Sequence, residues 1–488
     1  MVRMVDTLIV GGGTAGCVLA ARLSEDPAHQ VRVLEAGPLW TTPGAIPAEL
    51  LDPTTMPIGP DSPWLWRYDV ALSADPPVAA RIVRGRVIGG SGSINGGYFV
   101  RATAADFAAW ARTLGASSAW SFDAVLPMFR RTERDVDFGD QPWHGCSGPI
   151  PVRRTTNPAP ISAAFAAACL ATGFPEIPDL NAPIGADGVG AVPCNLDENG
   201  RIGSALGYLL PALARPNLTV GGESYATRIR FDRSRAIGVD CLCGGRIHTE
   251  WADRIVLSAG AIESAALLLR SGIGRPDRLR GLGIPIVYAA DVGAGFSDHP
   301  EIGIDYLLET GDQATVPVES VLELDDVEIR PYTMSFTPGV RRLGVALMRP
   351  DSSGVLRLRS TDPTVAPLIE HRYLAAESDR TRLRAGVAIA TELLKRMKAH
   401  QIVEPIPARS DLAAAWLRGN LATSQHLSGT CRMGREDDEA AVVDESCRVR
   451  GVTGLFIVDL SIAPVPLSRG PQATTMMIAE RAAGYLGS

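Results

Sequence analysis

The apolar positions fall into short buried-type runs, each followed by a glycine-rich turn or a helical stretch. Leu8-Ile9-Val10 is a short apolar run suited to a buried parallel strand. Helix-forming residues follow from Ala15 to about Ser24, and a second run, Val31 to Leu34, is again strand-like. Later come Asn217 to Val220, Ala226 to Ile229 and Arg254 to Ala261, read as strands, and a helix over Glu263 to Arg270. Between about 301 and 424 the pattern changes. Leu343 to Met348 and Gly354 to Leu358 alternate apolar and polar residues as antiparallel strands do, and Arg380 to Lys398 has the period of an amphipathic helix. Leu455 to Asp459 is a last strand and Met476 to Tyr485 a last helix.

Strands alternating with helices predict an α/β fold. A length of 488 residues predicts two or three domains at about 150 residues each. Hydrophobic residues make up 46% and charged residues 21%, as in globular chains. The net charge of −7 argues against a nucleic-acid partner, which favours a basic surface. Lys395 and Lys398 are the only lysines, and the wealth of Ala, Arg and Gly reads as the codon bias of a GC-rich genome. The 8 cysteines are scattered without a C-x-x-C pair or zinc-like spacing, so no metal is expected and a reducing, cytoplasmic compartment fits. Arg3 and the apolar stretch Thr7 to Ala21 resemble a short signal peptide, but the glycines within it suit a strand-turn-helix better. No stretch reaches the roughly 20 apolar residues of a membrane span, while peripheral membrane contact stays open.

Gly11-Gly12-Gly13-Thr14-Ala15-Gly16 joins the first strand to the first helix as a G-x-G-x-x-G. In such a motif the first glycine makes the tight turn, the second lets backbone approach a pyrophosphate, and the third lets helix and strand pack closely. The helix start, with the N–H groups of Thr14 and Ala15, offers donors and a positive dipole end to phosphate. Glu35 ends the second strand about 20 residues on, placed to accept from ribose hydroxyls, with Ala36 and Gly37 after it. The pattern serves NAD and FAD equally. The loop that follows, instead of a quick third strand, suits a flavoprotein.

Gly85 to Gly97 holds five glycines in the nine residues from Gly89. Such a run cannot be a regular helix or strand interior. It brings backbone close to something flat or anionic, with Ser91, Ser93 and Asn95 as polar groups, and Val87-Ile88 and Tyr98-Phe99 anchor it. Together, Gly11 to Gly16, Glu35-Ala36-Gly37 and this loop resemble the N-terminal signatures of the glucose-methanol-choline (GMC) oxidoreductases. The resemblance implies FAD, with Val87, Gly90, Ser91, Asn95 and Gly96 along its ring and pyrophosphate. Some members attach FAD through a histidine just before the asparagine. Ile94 stands there, so non-covalent FAD is implied.

The resemblance extends down the chain. It implies a backbone contact from Ala226 to the adenine end of FAD. A second signature lies around Arg254 to Gly274, with Ala265 where a proline is usual. Asp298-His299-Pro300 matches a family turn; His299 is a candidate for catalysis or for a packing and hydrogen-bonding role, the latter being the commoner fate of a lone histidine. His426 to Gly434 is the third signature, with Leu427 in place of a frequent proline. It implies that His426 takes the hydroxyl proton as hydride leaves the substrate carbon for flavin N5. A neutral imidazole is a suitable base for that step. Asp459 ends a strand at its carboxyl end, where ligands bind in open α/β sheets. Gln472 matches a position usually held by His or Asn; it can donate and accept but cannot act as a base, so it would orient the substrate oxygen. Ala473 follows at the start of a helix whose N-terminus can stabilise negative charge on the reduced ring.

The implied architecture is a discontinuous Rossmann-like FAD-binding domain with an α+β substrate-binding domain, an antiparallel sheet plus helices. Residues 1–150, 191–300 and 425–488 form the first, 301–424 the second, and 151–190 a connecting or substrate-domain segment. The implied reaction is oxidation of a small-molecule or peptide-derived alcohol. The chain is similar, more narrowly, to the GMC enzyme of the mycofactocin system, which implies reduced mycofactocin as substrate and a respiratory-chain electron acceptor. Rivals are a choline-dehydrogenase-like enzyme, whose cationic substrate wants an aromatic or acidic cage, a lyase of the same fold that keeps FAD as structure, and a flavin-binding protein without catalysis.

Overall fold

The computed structural model describes residues 4–115, 119–185, 187–308, 314–399, 401–403, 406 and 414–487; Arg3 lies outside them. A seven-stranded sheet forms the centre. Leu218–Gly221, Val31–Leu34 and Val5–Val10 run parallel in that order, and Val5–Val10 pairs in parallel with the C-terminal half of Arg246–Leu257. That long strand changes partners along its length. Arg246 to Trp251 pair antiparallel with Gly238 to Cys243, whereas Ile255 to Leu257 also take Leu455–Ile457 in parallel. Leu8, Ile9, Val33, Val256 and Ile457 are completely buried, as expected where helices cover both faces of a parallel sheet.

The helix Thr14–Leu23 packs against the C-terminal helix Gln472–Leu486. Arg22 grips the buried Glu480 at 2.8 Å, and the Tyr208 hydroxyl donates to the same carboxylate at 2.6 Å. This cross-tie sets the two helix starts side by side.

The sequence-read elements are present with shifted ends, each for a local reason. The strand expected over Arg254 to Ala261 runs from Arg246 to Leu257, and its helix begins at Gly260. Asn217 falls outside its strand because its amide donates to the carbonyls of Ser24, Asp26 and His29. Asp459 lies beyond Leu455–Ile457 and caps the short turn Leu460–Ile462 by accepting from Ser461 N–H. The helix expected to end at Lys398 spans Glu377–Arg396; Lys398 has a φ of 56° and cannot continue it. The last helix begins at Gln472 instead of Met476, with Pro471 fixing the entry.

A second, mostly antiparallel eight-stranded sheet includes Pro300–Leu307, Val340–Leu347, Val327–Thr337 and Ser320–Leu324 in adjacent positions, continued by Gly188–Ala191 and Glu176–Ile177. The helices Pro160–Thr172 and Glu377–Arg396 pack on it. Glu301, Arg330, Tyr332 and Arg342 of this sheet face the large cavity. A four-stranded sheet joins the hairpin Leu65–Ala74 and Pro77–Gly85 to Val355–Arg357 and Leu368–Glu370. Periodicity gave no hint of this pairing between distant segments.

A buried ion cluster sits apart from the cavity. His144 Nδ1 lies 2.6 Å from Glu133 and Nε2 lies 2.9 Å from Asp179. Both ring nitrogens meet carboxylates, so the ring is held as imidazolium: although burial opposes the charge, Asp179 and Glu133 raise its pKa above 6.5. Glu133, Asp135 and His144 stand close enough to share a metal ion. Arg101 already pairs with Glu133, and Arg154 with Asp135 at 2.7 Å. A cation would have to displace these guanidiniums.

Candidate active site

The cavity opens at the carboxyl ends of Val5–Val10, Val31–Leu34 and Arg246–Leu257, and runs from there to the second sheet. Its nucleotide end is built from Gly11, Gly13, Thr14, Ala15, Glu35, Ala36 and Ala226. No side chain caps the helix Thr14–Leu23, so its first-turn N–H groups are left for a ligand. Gly16 is not on the cavity: a Cβ there would lie 1.9 Å from the Gly11 carbonyl oxygen, so it serves helix–strand packing. Gly13 differs. A Cβ there would meet nothing nearer than 3.7 Å, so no protein contact demands glycine and the free approach is to a ligand.

Glu35 reaches back to its own loop. Oε2 accepts from Gly12 N–H at 2.9 Å and Oε1 from Gly37 N–H at 2.8 Å. Burial pushes its pKa up to about 7 against the pull of these donors. The glycine-rich loop lies opposite the phosphate loop, with Gly89 N–H donating to Gly12 carbonyl at 2.7 Å. Gly90, Ser91, Asn95 and Gly96 face the cavity. Val87 and Ala473 do not. Val87 is completely buried among Leu50, Leu65 and Ile94, and Ala473 is completely buried in the first turn of its helix. Asp459 reaches the cavity wall, but Oδ2 accepts from Gly260 N–H at 2.9 Å and Ser264 Oγ at 2.6 Å. It secures the turn that starts the helix Gly260–Arg270.

The other end holds His426 and Gln472, which both line the cavity. Asp298 Oδ1 accepts from the backbone N–H of His426 at 2.6 Å and of His299 at 2.8 Å. Burial opposes charge on Asp298, yet His371, 3.2 Å from Oδ2, holds its pKa well below the usual carboxylate range. His299 is no isolated packing residue: its Nδ1 lies 2.9 Å from His426 Nδ1, and its Nε2 lies 2.8 Å from the Leu467 carbonyl. A carbonyl only accepts, so His299 carries its proton on Nε2. Burial lowers the pKa of His299 and keeps it neutral. Its Nδ1 is then an acceptor, so His426 carries its proton on Nδ1. The remaining nitrogen, His426 Nε2, makes no hydrogen bond among the described residues and presents a lone pair. Burial, then His299 and Arg330, hold the His426 pKa well below 6.5.

Gln472 Oε1 accepts from Thr14 Oγ at 3.3 Å, while its Nε2 is buried without a partner among the described residues. An orphaned buried donor is costly, about 1–3 kcal/mol, and calls for an acceptor in the cavity. Tyr98, Glu301, Arg330, Tyr332 and Phe336 complete this end; of these the sequence pointed only to Tyr98, as an anchor of the glycine-rich loop. Glu301 Oε2 accepts from Ser424 Oγ at 3.0 Å and pairs with Arg330 at 3.2 Å, and Tyr332 hydroxyl lies 3.2 Å from it.

The chain matches the family models of the two GMC oxidoreductase domains over residues 5–301 and 350–479. It is 45% identical over 495 residues to a GMC-type oxidoreductase of Rhodococcus erythropolis, covering 99% of this chain and 98% of that one. It is 32% identical over 539 residues to the mitochondrial choline dehydrogenase of Mus musculus, covering 98% and 89%. The crystal structure of pyridoxine 4-oxidase from Mesorbium loti superposes with a TM-score of 0.90 at 27% identity, covering 98% of each chain. Two glycine loops face to face, a histidine with a free ring nitrogen, and matches along nearly the whole length agree: this chain belongs to the GMC oxidoreductase family.

Proposed function

We propose that the chain binds FAD non-covalently and oxidises an alcohol with His426 as the base. The observation that carries this is the hydrogen-bond run from the Leu467 carbonyl through His299 to His426, which leaves the Nε2 lone pair of His426 to the cavity. The open approach at Gly13, the uncapped helix start and the orphaned Gln472 Nε2 fit a bound dinucleotide and a substrate oxygen. Ile94 lines the cavity where a covalent link would form and offers only hydrocarbon, which supports non-covalent binding.

FAD, when bound, supplies the acceptor for the hydride that leaves the alcohol carbon. His426 Nε2 receives the hydroxyl proton and so gives the oxygen the alkoxide character that lets hydride depart. The low pKa keeps this nitrogen unprotonated before the step. Gln472 donates from Nε2 to the substrate oxygen, with Thr14 steadying its carboxamide. Tyr98, Tyr332 and Phe336 give the substrate a largely aromatic wall.

A choline-like cation would suit an aromatic or acidic cage. The aromatic faces of Tyr98, Tyr332 and Phe336 meet the first condition, whereas Glu301, bonded to Arg330, Tyr332 and Ser424, does not meet the second. The narrower form of the proposal is a peptide-derived alcohol of the reduced-mycofactocin type. Electrons would then pass to the respiratory chain from a cytoplasmic protein working at the membrane face. Among the described residues no helix is long and apolar enough to cross a membrane.

The test is to confirm releasable FAD by its spectrum after denaturation, then mix the protein anaerobically with candidate alcohols, choline and reduced mycofactocin included. Loss of oxidised-flavin absorbance with one of them, abolished in His426→Ala, is the expected result. Bound, dithionite-reducible FAD that no alcohol bleaches would overturn it in favour of a lyase of the same fold.

A further inference from the structure

Most deeply buried arginines of this chain pair with a carboxylate. Arg101 takes Glu133, Arg154 takes Asp135, Arg270 takes Glu263, and Arg330 takes Glu301. Two arginines at the glycine-rich loop do not, the part-buried Arg84 and the buried Arg201. Arg84 immediately precedes the glycine-rich loop and lines the cavity. Its Nη1 donates to Val83 carbonyl at 2.7 Å and approaches Gln425 Oε1 at 3.3 Å, and its Nη2 is buried with no partner among the described residues. Arg201 is 2% exposed. Its Nη1 donates to Ser93 carbonyl, inside that loop, and to Leu50 carbonyl, each at 3.2 Å. Its Nη2 donates to Asp52 carbonyl at 2.9 Å and Thr55 carbonyl at 2.5 Å. Neither guanidinium has a carboxylate within salt-bridge distance among the described residues.

A buried charge without a counter-ion is expensive, and neutral donors could serve the same carbonyls. A guanidinium does not deprotonate in proteins, so the charge stays. Burial pulls the Arg201 pKa down only to about 10, and lowers that of Arg84. The expense is offset where an anion arrives nearby, and fixed charges act most strongly where water is excluded.

We propose that Arg84 and Arg201, set against the two flanks of the glycine-rich loop, are paired positive charges that raise the reduction potential of the bound flavin. This rests on the FAD reading above. The two electrons taken from the alcohol add negative charge to the ring. Two guanidiniums beside the loop, neither in a direct ion pair among the described residues and with Asp298 and Asp52 only as more distant charges, stabilise that charge and so draw the equilibrium toward the oxidised product of the alcohol. Arg201 also fastens the segment Leu50 to Thr55, ahead of Met56 and Ile58 on the cavity wall.

The experiment is a dye-equilibrated reductive titration of the FAD-loaded protein, comparing wild type with Arg84→Gln, Arg84→Lys, Arg201→Gln and Arg201→Lys. Each Gln variant should lower the two-electron midpoint potential by about 30 mV, tenfold in the reduction equilibrium. Each Lys variant should stay near wild type, because it keeps the charge and loses only the planar fork. An unchanged potential in both Gln variants, with FAD bound in full, overturns the proposal. If a Gln variant releases its FAD, the Lys variant at that position must retain it; release by both assigns the position to shape alone and also overturns the proposal. A wild-type protein that holds no FAD would instead sink the cofactor reading itself.

Discussion

His299 Nδ1 lies 2.9 Å from His426 Nδ1, and the Leu467 carbonyl on the far side of His299 decides which ring carries the proton between them. The pair turns a backbone carbonyl into a rule for the base: His426 is protonated on Nδ1 and open on Nε2. Replacing His299 should therefore harm chemistry more than folding. Glutamine can donate to Leu467 and accept from His426, so His299→Gln should keep much of the rate. His299→Leu should reduce flavin about 10²-fold more slowly, the scale of a disturbed general base. Stopped-flow reduction of the two variants, with FAD content matched, checks the order.

The depressed pKa of His426 has a sign that can be read in a pH profile. A lowered imidazole pKa keeps the base neutral into acid. The acid limb of flavin reduction should therefore fall well below 6.5, the ordinary imidazole value. A limb centred at or above that value would show that burial and Arg330 do not govern the base in the loaded enzyme.

Gly16 is a packing glycine, and its geometry makes the cost of change large. With the Gly11 carbonyl 1.9 Å from where a Cβ would stand, Gly16→Ala must push the helix Thr14–Leu23 off the strand before it. A loss of about 3 kcal/mol or more is expected, with FAD released well before global unfolding. Thermal unfolding followed by flavin fluorescence and by circular dichroism separates the two events.

The buried His144 gives stability its own pH dependence. Its folded pKa is raised, so its contribution is fully present below 6.5, the ordinary value, and fades as pH rises through the folded value. His144→Ala should cost about 3–5 kcal/mol near pH 6, because it strips a partner from two buried carboxylates. The gap between variant and wild type should narrow toward alkaline pH. Denaturant midpoints measured at both ends of that range test it.

What the sequence made legible was local. The G-x-G-x-x-G loop, Glu35 and the glycine-rich run each carry their purpose in residue type and spacing, and all three meet at the cavity. The side chains of Val87 and Ala473 are buried away from the cavity, because a motif marks a stretch of backbone, not which side chains turn inward. His299 was visible as a residue but not as a partner, since 127 positions separate it from His426. Glu301 comes from Pro300–Leu307, and Arg330 and Tyr332 from Val327–Thr337, on either side of Val340–Leu347. Their facing is set by register, which no local pattern encodes.

The strand Arg246–Leu257 keeps a place open for Leu455–Ile457, and that late partner brings Asp459, then Gln472, to the site. A chain still emerging from the ribosome therefore carries complete phosphate and glycine loops but has no closed site. The edge of Arg246–Leu257 that Leu455–Ile457 covers waits for a partner about 200 residues further along the chain. A chain cut short before Leu455 would lack the strand that covers this edge and, with it, Asp459 and Gln472.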